Sequence, residues 1–149
     1  MFSEVNTVEV DSTFYRTPSV ATVNGWEHKT PAGFLLAAKI PQIITHERVL
    51  QNCDEDLNHF LETMDLMGDN LGPLLFQFGY FNKTAFKSGK EFLARMAPFL
   101  QKLPKGYRFE LEIRNKQWLT AEFFDLLREH KIAYALLDQV WMPRASEIF

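Results

Sequence analysis

Cysteine is nearly absent from this chain of 149 residues, in which Cys53 is the only one. A lone cysteine cannot form an internal disulfide, and without a second cysteine there is no pair with the spacing of zinc ligands. This pattern is typical of proteins in a reducing compartment. We therefore expect a cytoplasmic protein.

Long hydrophobic runs and excess positive charge are also missing. The longest apolar stretches, residues 34–38 and 72–76, are far too short to cross a bilayer, and the first four residues lack the basic start of a signal peptide. We expect no membrane partner. The formal net charge of −3 excludes a protein that binds nucleic acid over its whole surface, but it does not exclude a local basic patch.

Hydrophobic and aromatic side chains are plentiful. They include 14 Phe, and 46% of the chain is hydrophobic, which is enough to bury one core. No linker composition divides the sequence. We expect a single domain over residues 1–149.

Strand and helix patterns alternate along the chain. Short segments rich in Val, Leu, Phe and Tyr predict five strands, at residues 5–10, 34–40, 74–78, 107–114 and 132–138. Between them, four amphipathic patterns predict helices, with Ser19, Asp54 and Thr120 as N-caps of the first, second and fourth. Strands alternating with helices predict a mainly parallel α/β sheet.

Side-chain alternation within the strands favours a barrel over an open sheet. Strands buried on both faces of an open sheet are apolar on both faces, whereas these strands are polar on one. Helices covering the apolar faces would leave Glu9, Lys39, Gln77 and Glu112 pointing into a closed or nearly closed barrel.

Several segments resemble one protein family in the same order along nearly the whole chain. They are Val8-Glu9-Val10-Asp11-Ser12-Thr13-Phe14-Tyr15-Arg16, Lys39 with Thr45-His46, Gly72-Pro73-Leu74-Leu75-Phe76-Gln77, and Glu112-Ile113-Arg114 with Trp118. The chain resembles the YecE-like family, also called domain of unknown function 72. The resemblance implies a (β/α)8 TIM barrel, a fold of about 250 residues, and it implies no particular reaction.

The chain departs from the family pattern in three ways. A proline pair usually follows the segment ending at Gln77, but Phe78 and Gly79 stand here, and Asp11 replaces the usual Asn. By resemblance, about five of the eight strand–helix units are present, which makes this a partial barrel. We expect self-association through exposed strand edges, or an incomplete chain.

Polar residues follow the strands at the end where parallel sheets bind ligands. Catalytic candidates are Glu9, Lys39, Glu112 and His46, for proton transfer and charge stabilisation. Substrate-binding candidates, chosen as anchors or stacking surfaces, are Ser12, Tyr15, Arg16, Gln77, Arg114, Trp118 and Asp138. The alternative for the charged groups is structural, with Lys39 pairing with Glu9 or Glu112; for the aromatic rings it is packing.

The residues leave the function open, including whether the chain is an enzyme at all. Our first interpretation is an enzyme with a polar pocket for a small anionic or sugar-like substrate. A nucleic-acid-binding or nucleolytic module, or an inactive barrel fragment, is the alternative. We predict no cofactor and no metal site, because one suitably placed histidine is a weak basis for zinc; an oxygen-rich magnesium or manganese site using Glu9, Glu112 and Asp138 is the weaker alternative.

Overall fold

The computed structural model describes residues 5–148 of the chain. They fall into two compact units, the first ending at Leu75 and the second beginning at Phe76. No helix within residues 5–148 has the length and apolar character needed to cross a membrane.

The first unit contains strands and helices in alternation. They are β1 (Thr7–Val10), α1 (Val20–Lys29), β2 (Leu35–Lys39), α2 (Asp54–Met64) and the greater part of β3 (Leu71–Gln77). β1 pairs with β2 in parallel, with Val10 opposite Ala38, and β2 pairs with β3 in parallel, with Lys39 opposite Leu75. At Gly72 a side chain would meet the backbone carbon of Leu36 at 3.1 Å, so glycine permits this close pairing.

The second unit continues the alternation. Its elements are the end of β3, α3 (Gly89–Lys102), β4 (Phe109–Glu112), α4 (Ala121–Glu129), β5 (Ala133–Tyr134) and the short α5 (Ala145–Ile148). β4 pairs with β5 in parallel. The hydrogen-bonded order of the strands is β1-β2-β3-β4-β5, so the expectation of an α/β fold with a parallel five-stranded sheet is confirmed.

The helix starts follow the predicted capping chemistry at two of three positions. The Ser19 side chain accepts a hydrogen bond from the Thr22 backbone N–H, and the Thr120 side chain accepts one from Phe123. The prediction for Asp54 is wrong, because Asp54 is the first residue of α2 and places its charge in the first turn.

Two strand predictions are also corrected. The fifth strand was predicted over residues 132–138 but covers only Ala133–Tyr134, which pair with Glu110 and Leu111 of β4. Val8 in β1 was expected on a face covered by helices, yet it is 49% exposed.

Each unit has its own core. In the first unit α2 buries Phe60, Leu61 and Met64, which form the apolar face of an amphipathic helix. The second unit is packed around an aromatic cluster made by Phe81, Phe86, Phe92 and Trp118, in which the Trp118 ring stacks on Phe81 and Phe92 with centroids 5.7 Å and 5.1 Å away.

Candidate functional site

A charged cluster of Glu9, Asp11 and Lys39 lies in the first unit, where β1 and β2 end. The Lys39 Nζ atom is 2.9 Å from Asp11 Oδ1 and 3.6 Å from Glu9 Oε1. The parallel register brings these groups together, because it sets Glu9 opposite Ala37 and Val10 opposite Ala38. One ammonium therefore contacts two carboxyl groups.

The pKa values of the two carboxyl groups in the charged cluster are shifted in opposite directions. Burial raises the pKa of Glu9, and the neighbouring Asp11 adds to the rise while Lys39 opposes it. The hydrogen bond and the charge of Lys39 lower the pKa of Asp11. Burial works to lower the pKa of Lys39, but its contacts with Asp11 and Glu9 outweigh burial and raise it. Such a divergence is what an acid and a base in one site require.

The Thr13 side chain holds the backbone of Lys39 in place. Its hydroxyl donates to the Lys39 carbonyl at 2.8 Å and accepts from the Lys39 N–H at 3.1 Å, and Thr13 is fully buried. The hydroxyl thus occupies the place of a strand partner at the end of β2. Sequence reasoning chose the exposed Ser12 instead, since nothing in the sequence separates these adjacent hydroxyls.

His46 lies on a one-turn π-helix, Ile43–Glu47, in the loop after β2. Its Nδ1 atom is 2.8 Å from the Thr45 hydroxyl, and its exposed ring meets the Phe14 ring edge-on, with centroids 5.1 Å apart. Val49 and Leu50 follow with positive φ angles of 44° and 65°. Strained backbone of this kind and π-turns are frequent near functional sites.

Three further candidates lie in the turn after β1. Ser12 and Arg16 line a cavity of about 490 Å³ in the first unit. Tyr15 is 71% exposed and turns its ring edge toward Phe14. The turn therefore presents one cation and one aromatic ring to the solvent.

The second unit contains a different charged pair at the end of β4. Glu112 is 6% exposed, and its Oε1 atom accepts a hydrogen bond of 3.0 Å from Arg114 Nη2. The Arg114 Nε atom is buried and has no hydrogen-bond partner within residues 5–148. Burial raises the pKa of the Tyr134 hydroxyl, and the Glu112 charge adds to the rise.

Asn115 is a second residue that sequence reasoning missed. It is 4% exposed; its side-chain amide donates to the Phe81 carbonyl at 2.8 Å and accepts from the Phe81 N–H at 2.9 Å. These two bonds fix the chain after β3 against the turn after β4. Asn following an Arg at a strand end gives no distinctive pattern.

The remaining candidates of the second unit differ in accessibility. Trp118 is 8% exposed inside the aromatic cluster, which favours the packing alternative. Gln77 is partly buried at the end of β3, and Asp138 is exposed after β5. Trp118 could contact a ligand only if the rings that cover it moved away.

Comparison with known proteins identifies the family. The profile described as "Protein of unknown function DUF72" matches residues 2–148. The chain belongs to the DUF72 family. The family resemblance drawn from the motifs is thereby confirmed.

Two kinds of DUF72 relative are similar to this chain. The UPF0759 protein YecE of Escherichia coli K12 and that of strain O157:H7 are each 27% identical over 113 residues, which cover 76% of this chain. Two crystal structures of a DUF72 family protein from Enterococcus faecalis V583 superpose with TM-scores of 0.65 and 0.61, at 21% identity, over 91% and 87% of this chain.

The match covers only part of each relative. It spans 39% of the YecE proteins and 56% and 49% of the Enterococcus faecalis chains. At 21% identity the structural likeness shows a shared fold alone.

Metal-binding side chains are not gathered within residues 5–148, where no group of three or more His, Cys, Asp or Glu residues is arranged to hold an ion. Cys53 is buried, and burial raises the pKa of its thiol to about 11, with the charges of Asp54 and Asp56 adding to the rise.

Proposed function

We propose that this DUF72 chain forms part of a TIM-barrel-like enzyme that binds a small anionic or sugar-like substrate and transfers a proton at the charged cluster. The parallel order of its strands and its family membership support the barrel. The observation that carries the enzymatic proposal is the contact of one ammonium, Lys39, with two carboxyl groups of opposite pKa shift.

Each member of the charged cluster has a distinct role in this proposal. Glu9 retains its proton to a higher pH than an ordinary glutamate, so it acts as the general acid. Asp11 stays ionised and holds the Lys39 ammonium in place. The Lys39 ammonium stabilises negative charge that develops on the substrate. Thr13 acts as a positioning residue, because it bonds both backbone polar groups of Lys39.

The other predicted catalytic residues have supporting parts. His46, exposed beside Phe14, is a second group for proton transfer. Glu112 is engaged with Arg114 in the second unit, and we assign that pair to holding its own strand end in place. Proton transfer in the first unit does not depend on this pair.

Nucleic-acid binding is the second candidate function, and one observation favours it. Tyr15 is 71% exposed and is followed directly by the exposed Arg16. An accessible ring beside a cation stacks on bases and contacts phosphates. Affinity for single-stranded DNA that falls steeply with salt would favour this candidate over the enzyme.

Ligand-dependent melting tests the enzymatic proposal first. We would measure the melting temperature of the 149-residue chain with sugar phosphates, dicarboxylates, nucleotides and short single-stranded DNA. A ligand that binds the native state raises the midpoint, by an amount that grows with concentration over the dissociation constant. We expect a selective rise with a small anion.

Calorimetry with the selected anion then tests proton transfer. Titration in two buffers of different ionisation enthalpy measures the protons exchanged on binding. We expect exchange by the wild type and by the control Glu62→Gln, an exposed carboxylate on α2, and none by Glu9→Gln. Equal exchange by Glu9→Gln and the wild type would remove Glu9 from the mechanism, and stabilisation by DNA alone would favour the second candidate.

A further inference from the structure

We propose that the cavity in the first unit binds the phosphate monoester of a small ring-shaped molecule, such as a sugar phosphate. The cavity has a volume of about 490 Å³ and lies between the turn after β1, α1 and the second half of α2. Small-molecule sites usually have volumes of about 300–1,000 Å³. Glu9 and Lys39 do not line it, so this site goes beyond the proposed proton transfer.

Three of the lining residues are suited to phosphate oxygens. Arg16 contributes a guanidinium, and Ser12 and Thr17 contribute hydroxyl groups on either side of it in the chain. A guanidinium fork matches two oxygens of a phosphate group, and hydroxyls donate to the third. No carboxylate is among the lining residues in the described part of the chain, so an anion in the cavity would contact no negatively charged side chain.

Arg16 is free to bind a ligand. Its side chain is exposed, and within residues 5–148 it takes part in no salt bridge. The nearby Ser19 hydroxyl, in contrast, already accepts from the Thr22 N–H at 3.1 Å and lies 2.8 Å from the Thr22 hydroxyl. The charge of Arg16 is therefore the available attraction for the anion.

The other lining residues are suited to the remainder of such a ligand. Trp26 on α1 supplies a broad, partly buried ring, and Val20 supplies an apolar edge. Indole rings pack against the flat faces of sugars and bases. His59 on α2 adds a ring nitrogen that exchanges hydrogen bonds with sugar hydroxyls. One cation, several hydroxyls and an indole ring in the same cavity favour a phosphorylated ring over a dicarboxylate.

The two helices that line this cavity are held firmly in place. α1 begins at a satisfied cap, and α2 is anchored in the core by Phe60 and Met64. Thr63, which also lines the cavity, bonds its hydroxyl to the His59 carbonyl at 2.9 Å. Sites built on helices hold their geometry better than sites built on loops alone.

Calorimetry with defined probes tests this proposal. We would titrate the chain with glucose 6-phosphate, glucose, inorganic phosphate and succinate at low salt. We expect glucose 6-phosphate to bind more tightly than inorganic phosphate, and glucose and succinate to bind weakly or not at all. Tighter binding of succinate than of glucose 6-phosphate would overturn the proposed ligand class.

Matched variants locate the binding. Arg16→Gln removes a charged donor and should weaken glucose 6-phosphate binding about tenfold or more. Lys29→Gln, which removes an exposed charge of α1 outside the cavity, should leave the affinity within about twofold. Both variants should melt like the wild type because both residues are exposed. Equal affinity of Arg16→Gln and the wild type would overturn the site.

Two further measurements separate this site from the charged cluster. The indole N–H resonance of Trp26 should shift on addition of glucose 6-phosphate, whereas an unchanged resonance would overturn the proposed location. Glu9→Gln should retain the affinity, because Glu9 does not line the cavity. Loss of binding in Glu9→Gln would place the ligand at the charged cluster instead.

Discussion

The two units place charge at their strand ends in different ways. In the first unit the side chains of Asp11 and Glu9 are 74% and 42% exposed, and both contact Lys39. In the second unit the Glu112 side chain is 8% exposed and pairs with Arg114. The same sequence signal, a carboxylate near a strand's end, thus yields an accessible titrating cluster in one unit and a buried ion pair in the other.

Aromatic side chains differ between the units in the same sense. The second unit buries its rings in the aromatic cluster, where Gly89 permits close approach because a side chain there would meet Trp118 Cδ1 at 2.9 Å. The first unit exposes Tyr15 next to its charged cluster. The first unit thus holds the exposed charged and aromatic groups and the second holds the buried ones, and three experiments test that division.

The largest effect is expected for Trp118→Ala. Removing a ring that stacks on Phe81 and Phe92 leaves a cavity in the aromatic cluster, which should lower the free energy of unfolding by about 3–5 kcal/mol. Urea denaturation monitored by circular dichroism measures the change. Trp141→Ala is the control, since Trp141 is 61% exposed and its loss should cost about 0.5 kcal/mol or less.

A small loss of unfolding free energy in Trp118→Ala would contradict the structural role of this ring in the second unit. It would mean that the ring leaves the aromatic cluster readily and is available to a ligand, as the sequence-based assignment of Trp118 to substrate binding requires.

A smaller loss is expected for Glu112→Gln. The amide keeps the shape but removes the charge that Arg114 contacts, so a buried charged hydrogen bond is weakened, at about 1–3 kcal/mol. Urea denaturation again gives the change. Asp125→Asn disrupts the exposed pair with Arg128 and should cost between 0 and about 1 kcal/mol. If the two variants were equally stable, Glu112 would not hold the strand end.

Much of the fold could be predicted from local sequence. The Ser19 and Thr120 caps were predictable because an N-cap bonds within three residues of its own position. The cap prediction for Asp54 was wrong because aspartate stabilises a helix either as its N-cap or in its first turn. The sequence does not distinguish these two positions. The length of β5 depends on its pairing with β4, which is not a local property.

The candidate site was predictable in its position and less so in its partners. Parallel strands end at one edge, so Lys39 was expected to pair with Glu9 or Glu112, and it pairs with Glu9. Thr13 and Asn115 were missed because each bonds backbone that is distant in sequence, 26 and 34 residues away. Polar residues that serve the backbone leave no pattern in composition or spacing.

The smallest effect, and the sharpest test of the first unit, is the titration of its two carboxyl groups. Glu9 should titrate above its ordinary pKa of 4.5 and Asp11 below its ordinary 3.8, as followed by carboxyl carbon resonances in NMR. The raised pKa of Glu9 contributes stability below pH 4.5 that is lost as pH rises through the raised pKa. Asp11 does the reverse, contributing stability above pH 3.8 that is lost as pH falls through its lowered pKa.

Removing the Lys39 ammonium should raise the pKa values of both Glu9 and Asp11. In Lys39→Met, Glu9 loses the group that opposes the rise of its pKa, and Asp11 loses the main cause of its lowered pKa. Lys29→Met, which removes an exposed lysine of α1, should change neither. An unmoved Asp11 in Lys39→Met would mean that the ion pair is not formed in solution, and the first unit would then lose the acid–base asymmetry that distinguishes it from the second.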